Sequence, residues 1–413
     1  MNRRIVITGV GVLSALGKGL DALWDAALEG RTGIGMITIF DASAYKIRIA
    51  AEARHFDISD RVDPKLGRRA DPFARFALWT SDVALEQARL EINDDNRTDV
   101  GVIIGSGIGG METWEEQFER LIERGPDRVS PFLVPMMIAD MAAGLVSIQT
   151  GAAGPNLCAV TACASGVHAM AIAVDIIKVG RAKAVITGGA EAGISKSALA
   201  GFCSAQALST RNDDPEHACR PFDRDRDGFV MGEGASSMIV EDLDYALERG
   251  APILAEVAGL GLSGDAHHIT EPCPGGEGAA LSMHLALEDA GMQPADLDYI
   301  NAHAPGTPAG DASEAIAITT IFGKGAAVPI SSTKPVHGHM LGATGTTELA
   351  ICMKTMQEGV IPHTLNCDNP DEVASHLNIV RGEPLQAPVN VAMSNSFGFG
   401  GHNVSMIIKR FEA

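Results

Sequence analysis

Cys163 lies in the run Thr161-Ala162-Cys163-Ala164-Ser165-Gly166, between an apolar segment that reads as a strand and one that reads as a helix. Small residues on both sides leave room for a substrate to approach the sulfur. A thiol at a helix N-terminus feels the positive end of the helix dipole, which favours thiolate. Such a position lowers a cysteine pKa from about 8.5 to roughly 3.5–7.5. On position alone, a small buried structural cysteine fits equally well. His337 and His339 share the loop 331–345, and His303 follows another predicted strand. Neutral imidazoles there could donate hydrogen bonds or bind zinc. No ligand spacing favours zinc.

Two further motifs resemble familiar sites and fall short of them. Gly105-Ser106-Gly107-Ile108-Gly109-Gly110 fits G-x-G-x-x-G after a strand, the mark of a dinucleotide-binding loop. The acidic partner expected about 20 residues on would be Glu123, which falls in the charged stretch 120–128, not at a strand end. Close packing, or close approach to some other ligand, is the better reading, and a nicotinamide dehydrogenase ranks last. Asp223-Arg224-Asp225-Arg226-Asp227-Gly228 imitates a calcium loop, but Gly234 stands where the bidentate Glu is required. A solvated turn carrying ion pairs is expected.

These residues need elements to position them. Strands are predicted at 4–8, 100–104, 157–161, 184–187, 236–241, 253–260, 299–302, 328–331, 391–394 and 404–409. Helices are predicted at 20–29, 72–88, 166–179, 278–290, 312–321 and 346–358. Strands buried on both faces and alternating with helices predict an α/β architecture. Arg3-Arg4 before an apolar run resembles a signal peptide, but Gly9, Gly11 and Gly17 interrupt it, and Ile5-Val6-Ile7 reads as a buried strand. The halves resemble each other: 100–110 and 299–310 are both strand, Gly-bearing turn, helix. A duplication with a period near 200 residues would set matching strand ends across one cleft. Arg249-Gly250-Ala251-Pro252 marks the seam, giving domains 1–250, with the cysteine, and 251–413, with the two histidines.

Composition narrows the function. A chain of 413 residues, 46% hydrophobic and 20% charged, predicts a packed globular protein. The net charge of -20 argues against nucleic acid and anionic membranes. No apolar run reaches the roughly 18 residues of a membrane span. Seven scattered cysteines without a C-x-x-C pair read as reduced thiols in a cytoplasmic protein.

Taken together, Thr161–Gly166, Asn301-Ala302-His303, Ser332-Thr333-Lys334 with Gly338-His339, and Asn395-Ser396-Phe397-Gly398-Phe399-Gly400-Gly401 occur in an order that resembles the β-ketoacyl-[acyl-carrier-protein] synthases of the thiolase superfamily, nearest synthase II. The similarity runs nearly end to end. It implies a thiolase-like five-layer αβαβα fold with two pseudo-symmetric halves, in a homodimer. It implies decarboxylative condensation of an acyl chain on Cys163 with a malonyl unit, both delivered on the phosphopantetheine of an acyl carrier protein, with no catalytic cofactor. Cys163 then resembles the nucleophile, and the backbone N–H groups of Cys163 and Phe399 the oxyanion hole. His303 and His339 resemble the donors to the malonyl thioester oxygen. Lys334, paired with Glu348, resembles a structural lysine near the site, and Phe399 a gate. Ile108 and Phe202 match acyl-pocket positions, Leu133 and Val134 residues reaching that pocket from a dimer partner, and Thr307 a contact to the pantetheine arm. Lys65, Arg68, Arg69 and Arg128 match a carrier-docking patch. Asn301, Glu348, Ser394 and Asn395 match positions around a structural monovalent cation.

Four positions depart from the family pattern. Pro305, His337 and His402 each replace a threonine, and Gln206 replaces an arginine of the docking patch. Pro305 has neither hydroxyl nor N–H to offer the arm. These departures suggest a dedicated carrier or an unusual acyl chain. Two alternatives fit less well. A degradative thiolase resembles a Cys-His-Cys arrangement, and a non-catalytic chain-length partner subunit lacks the nucleophile.

Overall fold

A computed structural model describes residues 3–412. Ten principal strands carry the fold: β1 (Ile5–Ser14), β2 (Val100–Gly105), β3 (Asn156–Ala159), β4 (Ala184–Glu191), β5 (Gly234–Asp242), β6 (Ala255–Gly264), β7 (Tyr299–Asn301), β8 (Ile330–Ser331), β9 (Val391–Gly398) and β10 (His402–Lys409). The first five run β3-β2-β4-β5-β1, and the second five run β8-β7-β9-β10-β6. In each group the first two pairings are parallel and the next two antiparallel. The groups meet where Ile5–Ile7 of β1 pair antiparallel with residues 255–257 of β6.

Six helices complete the layers: α1 (Pro72–Ala88), α2 (Met111–Arg124), α3 (Ser165–Lys178), α4 (Glu277–Ala290), α5 (Pro308–Phe322) and α6 (Thr344–Glu358). α3 packs on the first sheet, α6 contacts both sheets, and the two helices touch each other in the middle layer. Both are buried on nearly every face, as a central layer demands. α1 covers β1 and β5 outside, and α4 covers β6 and β10 in the same way.

The repeat extends to single residues. A Cβ on Gly9 would strike the Ala84 carbonyl and sit 2.9 Å from the Ala88 Cβ. One on Gly259 would strike the Ala286 carbonyl and sit 2.8 Å from the Ala290 Cβ. Both glycines let an outer helix lie directly on a strand. Across the same interface the hydroxyls of Thr80 and Ser237 pair at 2.7 Å, and those of Ser282 and Ser405 at 2.9 Å.

All ten predicted strands and six predicted helices are present. The N-terminal apolar run is strand β1, buried throughout. The helices α2, Met141–Thr150 and Lys196–Ser204 were not predicted. The turn at 223–227 carries the expected ion pairs and is only partly solvated: Arg224 and Asp225 are exposed, whereas Asp223 and Arg226 are buried. Asp223 is fully buried and accepts the Asn369 and Asp225 N–H groups, while Arg226 pairs with Asp371 at 2.7 Å.

Candidate active site

β3 leads into a short 3-10 turn, Ala162–Ala164, that delivers Cys163 to the start of α3. Ala162 holds a left-handed φ of 52°, costly for a side-chain-bearing residue. The Ser165 hydroxyl closes the turn, donating to the Ala162 carbonyl at 2.7 Å and accepting the Thr161 N–H at 2.9 Å. The second half repeats the device: Leu341–Ala343 precede α6, and Leu341 has φ 47°. Gly342 stands there in the position that Cys163 holds in the first turn.

Cys163 Sγ lies 3.0 Å from Nε2 of His339. The His303 and His339 rings are 5.4 Å apart and nearly perpendicular, and the ligand atoms of all three residues lie within 4.8 Å of one another. The backbone N–H groups of Phe399 and Cys163 both point at the sulfur. Burial nevertheless pushes the Cys163 thiol up to about 12, against a smaller opposing effect of Lys334. Loss of solvation therefore opposes the lowering expected of the helix terminus and favours the protonated thiol.

His303 follows β7, and Glu314 of α5 fixes its backbone, accepting the N–H groups of His303 at 2.9 Å and Ala304 at 2.6 Å. His303 Nδ1 is buried without a partner. The His339 N–H donates to the Val230 carbonyl at 2.7 Å, and its Nδ1 meets the Thr344 hydroxyl at 3.0 Å. Burial first, then the Lys334 charge, holds both imidazoles well below their usual pKa, so both are neutral. Lys334 donates to Glu348 at 2.6 Å, and both side chains are fully buried. Lys334 acts on the histidines through its charge from outside the cavity that Cys163, His303, His339 and Phe399 line.

That cavity encloses about 500 Å³. Ile108, Phe202, Thr307, Pro305 and Gln206 also line it, as do Phe229 and Leu341. His337 and His402 do not. His337 is fully buried, its Nδ1 against the Gly338 carbonyl at 2.7 Å, and burial pushes its pKa down to about 3. His402 is exposed, 6.4 Å from the ring of His168. Leu133 and Val134, on the short helix Leu133–Met137, are absent from this chain's cavity, and Val134 is 58% exposed. Lys65, Arg68, Arg69 and Arg128 are exposed and form no ion pair among the described residues. Arg69 stacks over the ring of Phe132 at 4.6 Å.

The Gly105–Gly110 loop does have an anion cradle, and the protein fills it itself. The Glu191 carboxylate, at the end of β4, accepts Ser106 Oγ at 2.9 Å, Ile108 N–H at 3.1 Å, Gly107 N–H at 2.7 Å and Gly342 N–H at 3.0 Å. No phosphate is needed to satisfy those donors, which disposes of the dinucleotide motif. Asp311 is equally important to the other wall. It accepts the Gly306 and Thr307 N–H groups, while Arg226 donates to the Thr307 and Pro308 carbonyls. Glu191 escaped sequence reasoning because its partners are backbone groups remote in sequence, Arg226 because its turn reads as solvated, and Asp311 and Glu314 because a carboxylate in or beside a predicted helix gives no sign that it turns back to the loop before it.

Among the four candidate cation residues, Asn301 Oδ1, Glu348 Oε2 and Ser394 Oγ are buried oxygens without a partner, and Asn301 and Ser394 face each other on β7 and β9. Asn395 is engaged elsewhere, donating to Glu314 and accepting from Ser405.

Residues 2–246 match the model of the β-ketoacyl synthase N-terminal domain, and residues 254–368 that of the C-terminal domain. The chain is 48% identical over 413 residues to a 3-oxoacyl-[acyl-carrier-protein] synthase 2 of Staphylococcus aureus (strain N315), covering 100% of this chain and 99% of that one. A crystal structure of a β-ketoacyl synthase from Burkholderia phymatum STM815 superposes with a TM-score of 0.93 at 34% identity, covering 99% of this chain and 100% of the other. A ketosynthase structure in complex with its type II polyketide acyl-carrier protein, bound to a hexaketide, gives a TM-score of 0.91 at 27% identity with both chains fully covered.

Proposed function

The chain belongs to the β-ketoacyl synthase family, and from that premise we propose how its residues divide the work of condensation. The enzyme is an acyltransferase that extends an acyl chain by decarboxylative condensation, giving a 3-oxoacyl thioester, within the thiolase-like fold. The observation that carries the assignment of roles is the 3.0 Å contact of Cys163 Sγ with Nε2 of His339, beneath two backbone N–H groups.

In the tautomer that lets Nε2 support negative charge on the sulfur, the Thr344 hydroxyl donates to Nδ1 of His339 and Nε2–H faces Cys163. Cys163 attacks the acyl thioester, the carbon–sulfur bond to the incoming pantetheine breaks, and the thiol proton leaves with that sulfur. The N–H groups of Cys163 and Phe399 hold the developing oxyanion, a role worth about 3–4 kcal/mol per donor. His303 and His339 then donate to the malonyl thioester oxygen. Neutral donors stabilise the enolate left by carbon dioxide without protonating it. The enolate carbon attacks the acyl carbonyl, and the bond to Cys163 breaks to free the product. Phe399 beside the sulfur serves as gate, and Ile108 and Phe202 contact the chain.

Substrates arrive on an acyl carrier protein, as the carrier complex of a related ketosynthase supports. Lys65, Arg68, Arg69 and Arg128 form its docking patch, with Thr307 reaching the pantetheine arm. A homodimer is favoured by the exposed apolar side chains of Leu157 and Val160 on and beside the edge strand β3, at 46% and 57%, and by those of Ile148 and Val134. Leu133 and Val134 would enter the partner's pocket. The oxygens of Asn301, Glu348 and Ser394 suit a structural monovalent cation, with Asn395 holding Glu314 beside them; the ion would neutralise buried oxygen lone pairs and take no part in bond making. The seam of the halves falls at 250/251. Seven free cysteines fit a cytoplasmic setting, and no helix is long and apolar enough to cross a membrane among the described residues.

The test is direct. Protein is mixed with acyl- and malonyl-carrier substrates and analysed by mass spectrometry. An acyl adduct on Cys163 and a product two carbons longer are expected. A Cys163→Ala variant that still condenses overturns the assignment.

A further inference from the structure

Glu191 is a fully buried carboxylate that takes no part in the chemistry just described. Its two oxygens share four donors evenly. Oε1 accepts Ser106 Oγ and Ile108 N–H, and Oε2 accepts Gly107 N–H and Gly342 N–H. The donors come from two halves of the chain. Ser106, Gly107 and Ile108 follow β2, whereas Gly342 lies in the turn before α6. Ile108 and Leu341, one on each side of this clasp, both line the cavity that holds Cys163. The Gly342 carbonyl lies so near Gly166 and Gly189 that neither could carry a Cβ without moving it. The turn is thus seated by contact on one side and by Glu191 on the other.

We propose that Glu191 is a positioning residue for acyl transfer, tying the pocket wall that carries Ile108 to the wall that carries Leu341 and so fixing the width of the acyl pocket. The proposal rests on the reading of this cavity as the acyl site.

Glu191→Gln keeps the shape and changes the donors. The amide settles with its NH2 toward Ser106, whose hydroxyl can turn and accept. Ile108 N–H is then left facing a donor, and the Ile108 wall must shift. An unsatisfied buried donor of this kind translates to about a tenfold effect. Acyl transfer to Cys163 is measured with thioesters of graded chain length. Malonyl decarboxylation, run by His303 and His339, is compared in Cys163→Ala and Cys163→Ala/Glu191→Gln proteins. The expected result is a fall of about tenfold in kcat/KM for acyl transfer that varies with chain length, with decarboxylation changed less than about twofold. Uniform loss at every length, parallel loss of decarboxylation, or no loss at all overturns the proposal. Should Glu191→Gln fold poorly, Ser106→Ala removes one donor and keeps the carboxylate; it must show the same length-dependent pattern at smaller amplitude. A wild-type protein that forms no Cys163 adduct defeats the functional reading. Normal wild-type chemistry with an unaltered length profile in both variants defeats only the role of Glu191.

Discussion

At Cys163 two effects compete, and burial wins. A helix start favours thiolate, but a sulfur pushed up to about 12 waits as a thiol until substrate arrives. Alkylation by iodoacetamide should therefore climb about tenfold per pH unit between about pH 7 and about pH 10, without a plateau. A plateau near neutrality, followed by mass spectrometry, would show that the dipole prevails. His337 offers a second test. Its pKa falls from 6.5 to about 3 through burial. Below 6.5 the unfolded chain binds a proton that the folded chain refuses, so this residue's contribution to stability is lost as pH falls toward 3. His337→Thr removes that penalty. Relative to the wild type, the variant should gain about 2 kcal/mol between about pH 7.5 and about pH 5, in denaturant melts. An equal stability difference at both pH values would contradict it.

At the scale of elements, the pattern of the sequence was legible and the lengths were not. The first strand was expected to end at residue 8, because Gly9 and Gly11 looked like interruptions, yet β1 runs to Ser14. Those glycines are there because α1 presses on the strand, a fact about packing that no local window contains. The strand predicted at 253–260 likewise stops before Gly261, yet β6 runs to Gly264, and Gly259 and Gly261 lie under α4 in the same way. α2 was passed over because its many charges resemble a solvated segment, although Trp114, Phe118, Leu121 and Ile122 recur at helical spacing. Cys163, His303 and His339 could be found because nearby residues in the chain mark them. The carboxylates that hold the loops could not, since their partners are unmarked backbone groups, of distant segments for Glu191 and of the loop before their own helix for Asp311 and Glu314. The close approach also yields a prediction. Gly9→Ala and Gly259→Ala should each destabilise the protein by about 1–3 kcal/mol by overpacking, seen as lowered thermal midpoints. Tolerance at either site would mean that the outer helix can lift away.

For the molecule as a whole, charge and apolar surface set the associations. A protein of net charge -20 that offers Lys65, Arg68, Arg69 and Arg128 on its surface should bind an acidic carrier through a screened local attraction. Raising salt should slow association far more than dissociation, in stopped-flow binding; salt-independent association would remove the patch from consideration. Val160→Asp places a charge beside the exposed edge strand β3 and, for the homodimer proposed above, should leave a monomer in sedimentation, with activity lost if Leu133 and Val134 complete the partner's pocket. A Val160→Asp protein that remains dimeric would exclude this edge as the interface. The two halves also differ in one telling atom group. The turn before α3 presents a thiol, and the matching turn before α6 presents Gly342, with no side chain at all. A duplicated scaffold has therefore kept a single loading point. With Cys163 as the proposed nucleophile, each polypeptide would carry one growing chain at a time, one acyl group on that cysteine, and elongation would proceed as a queue served at one counter.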